Sequence, residues 1–124
     1  MDSPSKKILV VEDDEDTLGF LCESLRKKGY VVHGEATGEK GLDVFERESP
    51  DLVILDVQLP GIDGWGVLEK IKTAPGRKVP VIMLTVEGGE REKLRGYIIG
   101  ADYYIGKPFS IEMVSTTVGE LLGG

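Results

Sequence analysis

Four short apolar runs, each leading into polar residues able to do chemistry, constrain this 124-residue chain more than any other feature. Ile8-Leu9-Val10-Val11 leads into Glu12 and Asp13. Leu52-Val53-Ile54-Leu55 leads into Asp56, and Val81-Ile82-Met83-Leu84 into Thr85. Lys107-Pro108 lies just past Tyr103-Tyr104-Ile105. Apolar runs this short, bounded by polar and turn residues, read as buried strands. Strands that are apolar throughout need cover on both faces, and parallel sheets receive it from crossover helices. In an open parallel sheet the carboxyl ends of the strands share one edge, and ligands bind along that edge. The pattern therefore points three acids, a hydroxyl and an amine at one crevice, a set suited to a metal ion and a phosphoryl group.

The segments between the runs carry helical periodicity. A first strand over residues 6–11 is followed by a helix over 14–28, with Leu18, Leu21, Cys22 and Leu25 on one face. Arg26, Lys27 and Lys28 suit its C-terminal dipole, and Gly29 ends it. Residues 30–33 read as the second strand. Thr37 caps a helix that carries Leu42, Val44 and Phe45 and ends before Pro50. The third strand spans 52–55. A loop with Pro60, Gly61 and Gly64 then leads to a helix with Val67, Leu68 and Ile71, stopped by Ala74-Pro75-Gly76. The fourth strand spans 79–84, with Pro80 tolerable only near its start. A fourth helix is expected near 90–99, ending at Gly100, and a fifth strand over 103–105. Ser110 caps a last helix whose Met113, Val114, Val118 and Leu121 face inward. Strand and helix in alternation imply an α/β domain, and right-handed crossovers restrict its topology. The expectation is five parallel strands in the order 2-1-3-4-5 with five helices. Residues 1–5 read as a disordered lead-in, 6–122 as the domain, and 123–124 as a tail or the start of a removed linker.

Composition bounds the function. With 15 basic against 22 acidic residues the net charge is −7, which makes the domain a poor nucleic-acid binder by itself. Cys22 is the only cysteine, so an internal disulfide and a cysteine zinc cluster are both excluded. It reads as a small buried hydrophobe, and the lone His33 as a surface or half-buried histidine rather than a metal ligand. There is no apolar stretch long enough for a bilayer and no secretory signal in the first residues, so a cytoplasmic location is the default.

Each candidate site residue has an ordinary reading when taken alone. Asp14 can cap the first helix, Asp56 can start a turn, Thr85 is a β-branched strand residue, and Lys107 can be a solvated lysine. Taken together they fit one chemistry. Hard oxygen ligands at a strand end suit magnesium. Carboxylates brought close repel unless a cation neutralises them. A carboxylate on a rigid strand end can attack phosphorus, as in aspartyl-phosphate enzymes. Pro108 offers a place for a cis bond that would turn the chain sharply.

At these residues the chain resembles the receiver domain of two-component response regulators, over about residues 6–122. Ile8-Leu9-Val10-Val11-Glu12-Asp13-Asp14 matches the family's first strand and acidic pair. Asp56-Val57-Gln58-Leu59-Pro60-Gly61-Ile62-Asp63-Gly64 matches the phosphoacceptor loop. Val81-Ile82-Met83-Leu84-Thr85 and Lys107-Pro108-Phe109 match the other two motifs. The expected strand order is the flavodoxin-like one, for which a receiver protein is itself a standard example, so order and resemblance are not independent. The resemblance implies that Asp56 is the phosphoacceptor. Magnesium, with manganese as a substitute, would be held by Asp13, Asp56 and the backbone carbonyl of Gln58, and by Glu12 through metal-bound water. Thr85 and Lys107 would hold the phosphoryl oxygens, and Tyr104 would occupy the aromatic switch position. Gln58, Val86 and Glu87 would tune rates; Val86 is larger than the small residue usual there and would narrow access to Asp56.

The resemblance implies a signalling switch rather than an enzyme, although one that takes part in its own phosphoryl transfer and slow self-dephosphorylation. Its donor would be a sensor histidine kinase or a phosphotransfer protein in a phosphorelay. Its output would be a downstream effector or a missing output domain, reached through the face of the fourth helix, fifth strand and last helix, with a phosphorylation-dependent homodimer as one form. Tyr97, Tyr103 and Tyr104 enrich that face or simply pack beside the fifth strand. No membrane contact is expected. Three other readings compete. A haloacid dehalogenase-like phosphatase would need D-x-D-x-T or V, which Asp14-Glu15-Asp16-Thr17-Leu18 misses at its last position. A flavodoxin-type flavin carrier would need a hydroxyl-rich phosphate loop where this chain has acids. A receiver-like module that is never phosphorylated is disfavoured by the complete acid, hydroxyl and lysine set, while Val86 keeps it open.

Overall fold

Asp14, Thr37, Asp63 and Ser110 each accept, on a side-chain oxygen, the backbone N–H three residues ahead. This satisfies one of the donors left open at a helix start. The four caps begin α1 (Glu15–Lys27), α2 (Gly38–Glu48), α3 (Gly64–Lys72) and α4 (Ile111–Leu121). The structure, a computed structural model, describes residues 5–76, 78–86, 94 and 99–123. The helix expected near 90–99 therefore falls almost wholly outside the described residues, as do Glu87 and Tyr97.

The strands are β1 (Lys7–Val11), β2 (Val31–Glu35), β3 (Leu52–Asp56), β4 (Val81–Thr85) and β5 (Tyr103–Gly106). They pair in parallel in the order β2-β1-β3-β4-β5, as expected. Every residue of β3 and β4 is buried, which is why both lack a polar alternation in the sequence. Successive side chains point to opposite faces. Leu9, Val11, Val53, Leu55, Val81 and Met83 face one layer, with Val44 and Phe45 of α2 and Val67, Leu68 and Ile71 of α3. Ile8, Val10, Ile54, Ile82, Leu84 and Ile105 face the other, with Leu21, Cys22 and Leu25 of α1 and Val114 and Val118 of α4. Each fully buried branched side chain contributes about 1.5–3 kcal/mol.

Several element ends differ from expectation by one residue, and three further differences have a local reason. β2 runs on through Gly34 and Glu35, because Val10 and Val11 of β1 pair with them and the Glu12 N–H donates to the Glu35 carbonyl at 3.1 Å. Gly34 fits there because a Cβ would lie 2.7 Å from Cys22 Sγ. β4 starts at Val81, after Pro80, and includes Thr85. Met113 does not face inward. It is 52% exposed, and the buried stripe of α4 is Val114, Thr117 and Val118, with Leu121 partly buried. The stripe keeps a three- and four-residue spacing, and Met113 stands about 90° to its side; Thr117 is tolerated inward because its hydroxyl donates to the Met113 carbonyl at 2.8 Å.

The two lone residues behave as read. Cys22 is buried, which pushes its thiol up. His33 is half-buried, with Nε2 at 3.7 Å from Glu48 Oε1.

Candidate functional site

Register builds the site. Val11 pairs with Leu55, so Glu12 and Asp56, the next residue on each chain segment, emerge side by side at the carboxyl edge of the sheet. Asp56 pairs with Leu84, and Thr85 pairs with Gly106. The Lys107 N–H then donates to the Thr85 carbonyl at 2.7 Å, fixing the lysine at the end of β5. The Lys107–Pro108 peptide bond is cis. Glu12, Asp56 and Thr85 are 0, 2 and 7% exposed, so the crevice holds its polar groups out of bulk water.

The amine of Lys107 serves two carboxylates, 2.8 Å from Glu12 Oε1 and 2.9 Å from Asp56 Oδ2. Asp56 Oδ1 accepts the Gln58 N–H at 2.9 Å, and Glu12 Oε2 accepts the Asp14 N–H at 3.2 Å. Burial, reinforced by the neighbouring Asp56, pushes the Glu12 carboxyl up to about 7 against the opposing pull of Lys107 and the Asp14 N–H. Burial alone would lower the Lys107 ammonium, but its bonds and charge pairing with Glu12 and Asp56 outweigh that and raise it. Asp14 is spoken for elsewhere. Its carboxylate takes the Thr17 hydroxyl at 2.6 Å and the Thr17 N–H at 2.9 Å, and these bonds hold it below its ordinary value. That leaves Asp13, which is exposed, to face the crevice from its open side.

Carboxylate oxygens of Glu12, Asp13 and Asp56 lie within 4.8 Å of one another. Three acids so close, two of them buried, with one amine between the buried pair, form a donor set that fits a hard divalent cation. The loop after Asp56 is held by several bonds. The Gly64 N–H donates to the Val57 carbonyl at 3.0 Å, and Glu39 Oε2 accepts the Ile62 N–H at 3.1 Å. Gly64 must be glycine, since a Cβ there would sit 2.2 Å from the Asp56 carbonyl oxygen.

Two clefts flank the acids. One, of about 550 Å³, is largely apolar and lies between α1 and the segments after β4 and β5, lined by Phe20, Val86, Pro108 and Phe109 beside Lys107. The other, of about 590 Å³, is lined by Asp13, Gln58, Leu59, Pro60, Asp63 and Trp65. Val86 is 52% exposed and stands in the wall of the first cleft, on the approach to Lys107. Tyr104, half-buried on β5, packs on the α2 and α3 side, with its ring centroid 6.5 Å from that of Trp65.

Glu12, Asp13, Asp56 and Lys107 are thus brought together, with Gln58 beside Asp56, and Thr85 stands at the same sheet edge, joined to Lys107 through its backbone carbonyl. Sequence reasoning passed over Phe20, Phe109 and Trp65 as site neighbours. Phe20 could have been found as a large apolar residue off the inward stripe of α1; it is 52% exposed. Trp65, the only tryptophan, follows Gly64 directly and reads as ordinary helix core.

Comparison with known proteins agrees with this geometry. Residues 8–118 match the response regulator receiver domain family. The chain is 40% identical over 118 residues to the alkaline phosphatase synthesis transcriptional regulatory protein PhoP of Bacillus subtilis (strain 168), covering 95% of this chain and 49% of that protein. It is 38% identical over 104 residues to the transcriptional regulatory protein HprR of Escherichia coli (strain K12), covering 84% and 46%. The chain spans about half the length of the curated relatives it matches. Among solved structures, a CheY-like response regulator receiver domain protein from Methanospirillum hungatei JF-1 superposes with a TM-score of 0.90 at 33% identity, covering 97% of this chain and 95% of that one. The Vibrio cholerae chemotaxis protein CheY4 superposes with a TM-score of 0.88 at 26% identity, covering 95% and 99%. A parallel sheet in the order β2-β1-β3-β4-β5, with an acid cluster and a lysine on its carboxyl edge, and this agreement along nearly the whole chain make it a member of the response regulator receiver domain family.

Proposed function

We propose that residues 6–122 form a phosphoacceptor domain in which Asp56 takes a phosphoryl group from a sensor histidine kinase or a phosphotransfer protein. A carboxylate oxygen of Asp56 attacks phosphorus, the donor's P–N bond breaks, and the leaving nitrogen takes a proton from solvent, leaving an acylphosphate. The observation that carries this reading is the sharing of Lys107 between the buried carboxylates of Asp56 and Glu12. Such transfer depends on positioning and on neutralising charge at the phosphoryl oxygens. Asp13, Asp56 and the Gln58 carbonyl would hold magnesium, or manganese in its place, with Glu12 acting through bound water. That ion would supply positive charge opposite the lysine. Lys107 and Thr85 bind the new phosphoryl oxygens, and Gln58, Val86 and Glu87 set how fast the group arrives and leaves. Slow loss of phosphate to water resets the site.

The apolar cleft beside Lys107 supports a protein donor, because Phe20, Val86 and Phe109 offer surface that a small phosphodonor would leave uncovered. A phosphoryl group adds about −1.5 to −2 charges at one point. Thr85 moves to meet it, Tyr104 follows, and the face of β5, α4 and the segment between β4 and β5 changes its affinity for a partner. That partner is an effector protein, a second copy of the chain, or an output domain, the last in keeping with relatives twice as long and named as transcriptional regulators. The acidic domain itself does not bind nucleic acid. No helix among the described residues is long and apolar enough to cross a membrane, and the proposed site of action is the cytoplasm.

The test is chemical. Incubation with magnesium and phosphoramidate, a small P–N donor, gives a phosphoprotein that hydroxylamine and alkali cleave, as expected of an acylphosphate. Chelation of the metal blocks its formation. A hydroxylamine-resistant product would place the phosphate on a hydroxyl, and an alkali-stable one that hydroxylamine cleaves would place it on a ring nitrogen; either would overturn the proposal.

A further inference from the structure

The geometry points to Trp65 as a positioning residue that transmits the state of the loop after Asp56 to Tyr104. The inference rests on the proposed function and adds a route to the switch beside the one through Thr85. Trp65 is the second residue of α3, and its place is fixed from both directions. Asp63 caps the helix through the Gly66 N–H at 2.9 Å, and Gly64 passes so close to Asp56 that no side chain fits. The indole is 6% exposed. One side of it walls the cleft that also holds Asp13, Gln58 and Leu59. On another side its ring meets Tyr104, centroids 6.5 Å apart and planes at 51°, the tilted arrangement that aromatic pairs favour.

Tyr104 belongs to a different element. It lies on β5 in register with Met83 and packs half-buried into the layer that contains Trp65. A single rigid side chain therefore lies against both the loop that would carry the metal and phosphoryl group and the strand that carries the switch. A ring of this size, buried in a close-packed layer, cannot move without displacing its neighbours. When Gln58 and Leu59 shift to accommodate a ligand, the indole moves with them, and its contact with Tyr104 is remade or lost. Aromatic pairing of this kind biases a two-state equilibrium by about two- to tenfold. A leucine at position 65 would fill part of the volume without the aromatic edge, whereas phenylalanine would keep it.

The test uses the full chain labelled with 3-fluorotyrosine. There are four tyrosines, and Tyr104→Phe assigns the Tyr104 resonance. Magnesium with beryllofluoride, a phosphoryl mimic, displaces that resonance in the wild type. Scaled to the fraction of chain loaded with beryllofluoride, the population shift at Tyr104 should fall about two- to tenfold in Trp65→Leu and recover in Trp65→Phe. A wild-type shift in Trp65→Leu overturns the inference. If Trp65→Leu does not fold, the reciprocal measurement decides. Emission from the sole tryptophan should respond to beryllofluoride in the wild type and respond at least twofold less in Tyr104→Ala. An equal response in both overturns the inference. If beryllofluoride binds the wild type and Tyr104 stays still, the coupling fails while the phosphoacceptor reading stands. If neither beryllofluoride nor a phosphodonor loads the wild type, both fall.

Discussion

One ammonium between two buried carboxylates is the residue-scale fact with the widest consequences. Lys107 compensates one charge, and the Glu12 carboxyl is raised, by burial first and then by the neighbouring Asp56. Asp56→Asn leaves a balanced Glu12–Lys107 pair, so it should stabilise the metal-free protein by about 1 kcal/mol. The same substitution should diminish the stabilisation that added magnesium gives the wild type. Urea unfolding with and without magnesium measures both effects; a destabilised metal-free variant would contradict the charge assignment. These residues were legible in the sequence because each comes directly after or just past an apolar run, and the end of a strand has only one place to be in a parallel sheet. Trp65 was not legible as a site neighbour. Its role depends on how α3 enters under the Asp56 loop and on which residue of β5 faces it, and neither leaves a pattern in the chain.

At the scale of elements, the helix starts and the strand order were readable because they obey local rules: a capping side chain, an apolar run, a right-handed crossover. The inward stripe of α4 was misjudged by one residue at its start because Met113 and Val114 lie about 100° apart on the helix, and only Val114 shares the face of Thr117, a polar residue buried through its bond to the Met113 carbonyl. Met113→Lys should therefore change stability by no more than about 0.5 kcal/mol, whereas Val114→Ala should cost about 2 kcal/mol. Equal costs in thermal unfolding would return Met113 to the core. A second tie joins three elements at the amino edge of the sheet. Glu48, at the end of α2, lies within 4 Å of Arg47, His33 of β2 and Lys7 of β1. The Arg47 hydrogen bond first, then the positive charges of His33, Lys7 and Arg47, hold its carboxyl below the ordinary value of 4.5. A lowered carboxyl stabilises the fold above its ordinary value, and that contribution is lost as pH falls through the lowered one. Glu48→Gln should accordingly be less stable than wild type at neutral pH, with the gap closing on acidification below 4.5. A gap that does not change with pH would show that charge has no part in the tie.

The whole molecule gathers its acids and lysine at one edge of the sheet, and the proposed readout lies on a neighbouring face, joined to that edge by packed layers that have few arrangements open to them. Family membership rests on fold, site and comparison together; the phosphorylated residue is the claim on which donor, metal, switch and output all depend. The most direct measurement treats the wild type and Asp56→Asn with magnesium and phosphoramidate, traps any acylphosphate by borohydride reduction, and maps the reduced residue by peptide mass spectrometry. The account predicts reduction at position 56 in the wild type, abolished by chelation, and none in the variant. Reduction at Asp13 or any other acid, or phosphate uptake undiminished in Asp56→Asn, would contradict it.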